Sequence, residues 1–451
     1  MTTIRHDLSG VIASSMCIGC GACELADPTV KVTLHPTKQI FEPESVGGPE
    51  AAAVCPAVAV DYAGLQEKLF PGAEQTEFGV VEAVMLAQST DLERNRRASS
   101  GGLIKELLLE LLDRDDIDGV IALGHVAGLD FQPRLVTDPD GVDELPGSIY
   151  HNLSQPETLR LLEANEGRYV VVAIPCQLEG IYQYVFTHAP HLRDRIAFTV
   201  GLLCGWQYSH HALRAISHFK KIPFDEITDI AYRGEGPIGK LRIRTGDEEH
   251  AIGRRVDFGY QVAFDRSFNL PRCHVCINHS NFLADIVVGD AWLPATVTSK
   301  TGISLLTCRN AEAEATVRRL AADERIVIAD VTTAEVEESQ KRPVVYGDVA
   351  YAYADHLREL GVHTPDLQGP NRPAAQLAPR RQVAKFHREL VRKLALQRAG
   401  RYRYLYVRKA TVELHRHLMR YIRWFAVRVL RIKSLTGRRR EVPKELMKGF
   451  R

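Results

Sequence analysis

RYVVVAIPC (168–176) and RIAFTVGLLC (195–204) decide the fold class of this chain. Each is a short apolar run rich in β-branched residues, with no polar alternation, as expected of a strand buried on both faces. VIALGHVAG (120–128) and ADIVVGDAW (284–292) read the same way, and all four end in or near Gly, Pro or Cys. GGLIKELLLELLDR (101–114) and the stretch around 211–220 show helical spacing between them. Strands alternating with helices predict an α/β domain with a largely parallel sheet over about 80–330, within an α+β whole.

Outward from this centre the chain changes character. Residues 1–75 are apolar-poor and hold four of the nine cysteines; 331–379 read as a linker region ending in the Pro-bearing TPDLQGPNRPAAQLAP. Residues 380–451 form a basic helical tail with 23 Lys and Arg against 4 Asp and Glu, a net of +19. The preceding 379 residues carry 34 against 52, a net of −18, so the overall +1 conceals two regions suited to different partners. Across 451 residues, 45% hydrophobic and 25% charged composition excludes wholesale disorder and leaves room for two or three domains. No apolar run reaches the roughly 18 residues of a spanning helix, and the N-terminus lacks a secretory core, so a cytoplasmic location is expected.

Cys17-Ile18-Gly19-Cys20-Gly21-Ala22-Cys23, followed by Cys55-Pro56, is the bacterial ferredoxin spacing for one [4Fe–4S] cube. Gly19 and Gly21 let the loop curl around three iron corners. In two-cluster ferredoxins a fourth cysteine stands before a proline in this run; here that position is Asp27, before Pro28, so this module is expected to hold a single cube. A zinc knuckle is the blander reading and prefers C-x2-C pairs. Cys176 and Cys204 end strands, and Cys273 and Cys276 form a C-x2-C pair. From the residues alone these four make either a second all-thiolate site or separate buried thiols. Cys308, in ISLLTC, reads as a core residue. Ser99-Ser100-Gly101-Gly102 opens a helix, where free N–H groups favour an anion or an electron-rich ring edge, although a simple serine cap explains it too.

Ala98-Ser99-Ser100-Gly101-Gly102, Ile174-Pro175-Cys176-Gln177, Leu203-Cys204, Cys273-x2-Cys276 and Ala284-Asp285-Ile286-x2-Gly289-Asp290-Ala291-Trp292 together resemble a known family. It is the beta-subunit family of coenzyme F420-reducing hydrogenase and formate dehydrogenase, which includes 7-hydroxymethyl chlorophyll a reductase and the ferredoxin-dependent divinyl chlorophyllide vinyl reductase. The resemblance covers roughly 80–325, its N-terminal part over 80–160 and its C-terminal part over 161–330, with the ferredoxin-like module in front. It implies an FAD-containing iron–sulfur oxidoreductase in which Cys176, Cys204, Cys273 and Cys276 hold a second [4Fe–4S] cluster. It also implies that Ser99, Ser100, Gly101, Gly102, Pro175, Gln177 and Asp290 lie at the flavin. Two positions depart from the family. Gly147-Ser148-Ile149-Tyr150 lacks the family's lysine, so a cationic contact there is lost or moved, and Asn278 replaces a common aspartate.

The expected route runs from an external ferredoxin, or another electron-transfer protein, through both clusters to FAD. From there the electrons reduce a CH–CH or CH2-type group of a small-molecule substrate. The alternatives are a coenzyme F420-linked dehydrogenase or hydrogenase beta subunit acting with a partner chain, and a non-catalytic electron-transfer protein. No catalytic residue is assigned: His210 and His211, with Tyr208 nearby, are candidates for a general acid, but a histidine at a helix start reads first as a surface or capping group. His125 reads as a core histidine, and His274 and His279 as cover for the second cluster. Trp206 and Trp292 read as core ahead of packing on flavin or substrate. In the tail, Leu414, Leu418, Ile422, Phe425, Val429 and Ile432 fall at helical steps, opposite Arg416, Arg420, Arg423 and Arg431, with Tyr421 and Trp424 nearby. This suits an anionic membrane surface at the inner face, but packing of the stripe on the acidic body is the favoured expectation. Nucleic acid has no recognisable module here.

Overall fold

The computed structural model describes residues 7–236, 239–294, 296, 299, 301–369 and 378–428. Its centre is an eight-stranded sheet made of β1 (Ala83–Ser89), β2 (Gly119–Ala127), β3 (Asp130–Val136), β4 (Tyr169–Ala173), β5 (Ile196–Leu202), β6 (Ile286–Asp290), β7 (Ser304–Cys308) and β8 (Ile326–Asp330). The order is β8-β1-β7-β6-β5-β4-β2-β3. The four runs read from the sequence are the neighbours β6, β5, β4 and β2, and these are parallel. The remaining pairings are antiparallel, so the sheet is mixed rather than largely parallel. The cause is local: two residues separate β2 from β3, and so short a connection permits only a hairpin.

Six helices matter to the site: α1 (Leu103–Leu112), α2 (Pro175–Thr187), α3 (His211–Lys220), α4 (Lys341–Glu359), α5 (Arg380–Arg398) and α6 (Tyr402–Arg428). Leu103, Leu107, Leu108 and Leu111 form the apolar stripe of α1 and pack with Met85, Val120 and Val170 of the sheet. The other face of the sheet carries α2, whose Leu178, Ile181 and Val185 share one apolar core with Leu8, Val11, Ile18, Val54 and Leu65 of the N-terminal segment. That segment therefore has no separate core of its own. Within 331–379, α4 adds Val349 and Tyr353 to this core, and Asp366–Gln368 pairs in parallel with Ala59–Asp61. A small antiparallel sheet (Ile227–Ala231, Lys240–Thr245, Glu248–Gly253) packs with α3 through Leu241, Ile243, Leu213 and Ile216.

The first turns of α6 dock on the body through buried Tyr402 and Leu405, with Lys409 paired to Asp265. The helix then extends with Leu414, Leu418 and Ile422 exposed by 70%, 53% and 48%. The expectation that this stripe packs on the body fails for those residues, because the docked side chains occupy the opposite side of the helix. Val429, Arg431 and Ile432 lie outside the described residues. Among the described residues, no helix is long and apolar enough to cross a membrane.

Candidate functional site

The carboxyl ends of the parallel strands gather the candidate residues, as open α/β sheets favour. β4 runs into α2 with Pro175 at its first position, where a missing N–H costs nothing, and Cys176 beside it. Gln177 Oε1 accepts from Ile174 N at 3.3 Å, so its side chain caps the helix. Cys204 follows β5 and is clamped on both sides: its N–H donates to His279 O (3.1 Å), and its carbonyl meets His279 Nδ1 (2.8 Å). Cys273 lies in the tight turn Pro271–Val275 and accepts from Gln207 N at 3.4 Å. The four thiols come together: burial, then Glu179, then Cys204, Cys273 and Cys276 all raise the Cys176 thiol, and Cys273 is pushed up to about 12, chiefly by burial.

The N-terminal four also converge. Burial, followed by Cys55, Cys20 and Cys17, raises Cys23; burial first pushes Cys20 up to about 12 and Cys55 to about 11. Gly19 and Gly21 sit at φ 75° and 78°, and a Cβ on them would lie 2.1 Å from Leu153 O and 2.5 Å from Pro156 Cα. The loop is thus pressed onto 152–156, where Asn152 Nδ2 donates to Ile18 O (3.0 Å) and Asn152 Oδ1 accepts from Phe41 N (2.6 Å). Asp27, at the absent cysteine's position, accepts from Thr29 Oγ1 (2.6 Å), Gly48 N (2.7 Å) and Thr29 N (2.9 Å), and these bonds, the Thr29 hydroxyl first, hold its carboxyl below the usual range. Among the described residues no three or more His, Cys, Asp or Glu are grouped for a single metal ion. Two all-thiol sets, the first buried and the second half-buried, suit iron–sulfur cores, whose positive iron would favour the thiolates that mutual repulsion otherwise disfavours.

Between the two sets lies a buried polar group that sequence reasoning missed. Cys176 and Gly180 are one turn apart on α2, about 6 Å along the axis. A Cβ at Gly180 would lie 2.7 Å from Cys20 Sγ. Glu179 is fully buried, accepting from Tyr62 OH (2.8 Å) and Asn278 Nδ2 (2.9 Å) and pairing with Arg272 at 3.4 Å. Arg272 Nη1 is buried without a hydrogen-bond partner among the described residues, a donor left for an acceptor such as a cluster sulfide. An isolated glycine and glutamate inside the apolar run of α2 were the only available signal.

On the far side of the second set, the 99–102 segment lies along the sheet end. Gly101 N donates to Ser304 Oγ (2.9 Å), Ser100 Oγ to Ile303 O (3.0 Å), and Ser148 N to Ser99 Oγ (3.2 Å). The simple serine cap is not what forms: Gly102, at φ 78°, precedes α1 and no side chain caps that helix. Ser304 pairs in register with Asp290, and Asp290 holds Arg233 at 2.5 Å. Arg254 stands 5.7 Å over the Tyr150 ring, and Tyr150 lies among the groups that raise Arg233. Two arginines, Arg233 and Arg254, thus come close to Tyr150 from segments just after the outer strands of the small sheet, more than 80 residues from Ile149.

The remaining candidates sort plainly. His210 Nε2 meets Asn152 O (2.8 Å), and His211 meets Tyr402 OH (2.6 Å) and Thr37 O (2.9 Å); burial pushes both down to about 4, so they are buried structural groups rather than surface ones. His274 is buried against Tyr353 and Phe386 with neither ring nitrogen partnered among the described residues, and burial lowers it to about 3. Trp206 Nε1 donates to Tyr208 OH at 2.8 Å. His125 and Trp292 are exposed, not core: His125 projects from the end of β2 beyond the helices, and Trp292 lies past the end of β6. Cys308 is fully buried in β7, as expected.

Two family models described as "Coenzyme F420 hydrogenase/dehydrogenase, beta subunit" match this chain. The one for the N-terminal part matches residues 84–160 and the one for the C-terminal part matches 166–334, together more than half of the chain. An F(420)H(2) dehydrogenase subunit of Methanosarcina mazei is 24% identical, over 64% of this chain and 79% of its own. The beta subunit of coenzyme F420 hydrogenase of Methanothermobacter thermautotrophicus is 26% identical, over 51% of this chain and 81% of its own. A chain from the F420-reducing [NiFe] hydrogenase complex of Methanosarcina barkeri is 20% identical, with a TM-score of 0.49, covering 66% of this chain and 99% of that one. The chain belongs to the coenzyme F420 hydrogenase/dehydrogenase beta-subunit family.

Proposed function

We propose that this chain is the electron-transfer subunit of a coenzyme F420-linked oxidoreductase, acting with a partner chain. The relatives named above, F420-linked dehydrogenase and hydrogenase subunits, favour this over the ferredoxin-fed reductase that the sequence put first. The observation that carries it is the line of sites along one sheet edge. It runs from the Cys17, Cys20, Cys23 and Cys55 set, across one turn of α2, to the Cys176, Cys204, Cys273 and Cys276 set, and on to the 99–102 segment and Asp290.

When bound, two [4Fe–4S] cores would supply one-electron exchange and FAD would join it to two-electron exchange with F420. The eight cysteines hold the cores, and His279 fixes Cys204. Gly101 lets the turn before α1 lie tightly against Ala87 and Ser304 at the sheet end, and the uncapped start of α1 favours the electron-rich edge of a planar ring there. Arg254, over the Tyr150 ring, offers positive charge to an anionic substrate group, while Arg233 is held by Asp290. The test is iron, sulfide and flavin per chain on protein purified without oxygen. About eight irons with one flavin are expected, and the flavin should bleach with reduced F420. Bleaching by reduced ferredoxin alone would return the first reading, and about four irons without flavin would remove both.

A second partner follows from α6. Its exposed Leu414, Leu418 and Ile422, within a tail of net +19, support an anionic membrane surface as an additional docking partner. A second copy of the same basic helix would bring like charge. The full chain is expected to sediment with vesicles containing anionic lipid and not with neutral ones. Replacing the three apolar residues by serine should cut the bound fraction about tenfold or more. Equal binding to neutral vesicles, or none to either, would refute it.

A further inference from the structure

We infer that the buried Glu179–Arg272 pair is an electrostatic link shared by the two thiol sets, so that its two charges set the reduction potentials of both iron–sulfur sites together. This rests on the two-cluster reading above. Glu179 is 0% exposed and Arg272 2% exposed, and the pair spans the gap between the sets. Arg272 immediately precedes Cys273 in the chain, and its charge bears on Cys55 of the first set as well as on Cys273 and Cys276 of the second. Glu179 lies between Cys176 and Gly180, and its charge bears on Cys20 on one side and on Cys176 and Cys204 on the other. The partners that hold Glu179 also come from both sides: Tyr62 from the N-terminal segment and Asn278 from just beyond Cys276.

A packed apolar pair would serve stability as well as this one. What an apolar pair does not provide is a fixed positive and a fixed negative charge in a dry junction, where unit charges act strongly over several ångströms. Arg272 favours the more negative, reduced state of each neighbouring core, and Glu179 disfavours it. Because both charges reach both sets, removing either one shifts both potentials in the same direction, and neither potential is set alone.

The test is a redox titration followed by electron paramagnetic resonance on anaerobically purified protein, with iron content measured in parallel. Glu179→Gln should raise both midpoints, by at least a tenfold change in the one-electron equilibrium, 59 mV. Arg272→Met should lower them, and Arg272→Lys should stay near the unaltered protein. Should a single variant lose iron, the double variant Glu179→Gln with Arg272→Met removes both charges together and should return both midpoints to within about threefold of the original equilibrium. Unchanged midpoints in Glu179→Gln at full iron content, or a shift at only one cluster, overturn the link. A single cluster in the unaltered protein overturns the two-cluster reading, and the link with it.

Discussion

Replacing Gly180 by alanine is expected to halve the iron of the protein, from about eight to about four per chain, while flavin and the second cluster's signal persist. The new methyl would sit 2.7 Å from Cys20 Sγ, well inside contact distance, on a buried helix that has no room to retreat. Overpacking of this kind costs about 1–3 kcal/mol, and the weaker party is the N-terminal loop. It is held by the 152–156 segment and by Tyr62, whereas α2 is locked into the main core on every side. Iron and sulfide analysis with electron paramagnetic resonance checks it; full iron content would mean that the first set does not close against α2. Gly19→Ala should act in the same direction, because a Cβ there meets the carbonyl of Leu153 and φ is 75°.

Replacing Gly101 by alanine should do the reverse: lose the flavin and keep the iron. A Cβ at Gly101 would lie 2.7 Å from Ala87 O and 2.9 Å from Ser304 N, so the turn before α1 must move away from β1 and β7. That movement breaks the Gly101 N to Ser304 Oγ bond and withdraws the uncapped start of α1 from the sheet edge. The expected result is at least a tenfold weaker hold on flavin, read as flavin per chain after gel filtration, with iron unchanged. Retained flavin would place the ring elsewhere. Together the two glycine variants separate the ends of the proposed line, since neither residue touches the other's site.

Period and composition were enough to identify β2, β4, β5 and β6, because fully buried parallel strands need continuous β-branched runs and nothing else in the chain supplies them. Cysteine spacing was likewise enough to mark Cys17, Cys20 and Cys23 as neighbours, because three thiols within seven residues must meet when a glycine-bearing loop curls. The flanking strands went unread: β3 and β8 are the sheet's partly exposed edges, and the interior β1 and β7 carry a single β-branched residue each, Val84 and Thr307.

The departures from the family pattern show where sequence stops. Ile149 marks where the family's lysine is missing; only the fold shows that Arg233 pairs with Asp290 and Arg254 lies over the Tyr150 ring, both arriving from a distant part of the chain. The amphipathic pattern of α6 was legible, but its direction was not. Period alone does not say which side of a helix meets the body, and the first turns of α6 commit the opposite side through Tyr402 and Leu405.

What the sequence by itself determined is the family, the parallel centre of the sheet and the eight thiols as candidates, since each strand or cysteine stands in a short motif legible within its own segment. What only the tertiary structure decided is their arrangement. One turn of α2 brings two cysteine sets from opposite ends of the domain together around Gly180, and a glutamate and an arginine 93 residues apart are buried between them. Contacts of that kind depend on which surfaces a helix presents once packed, and no local spacing encodes that.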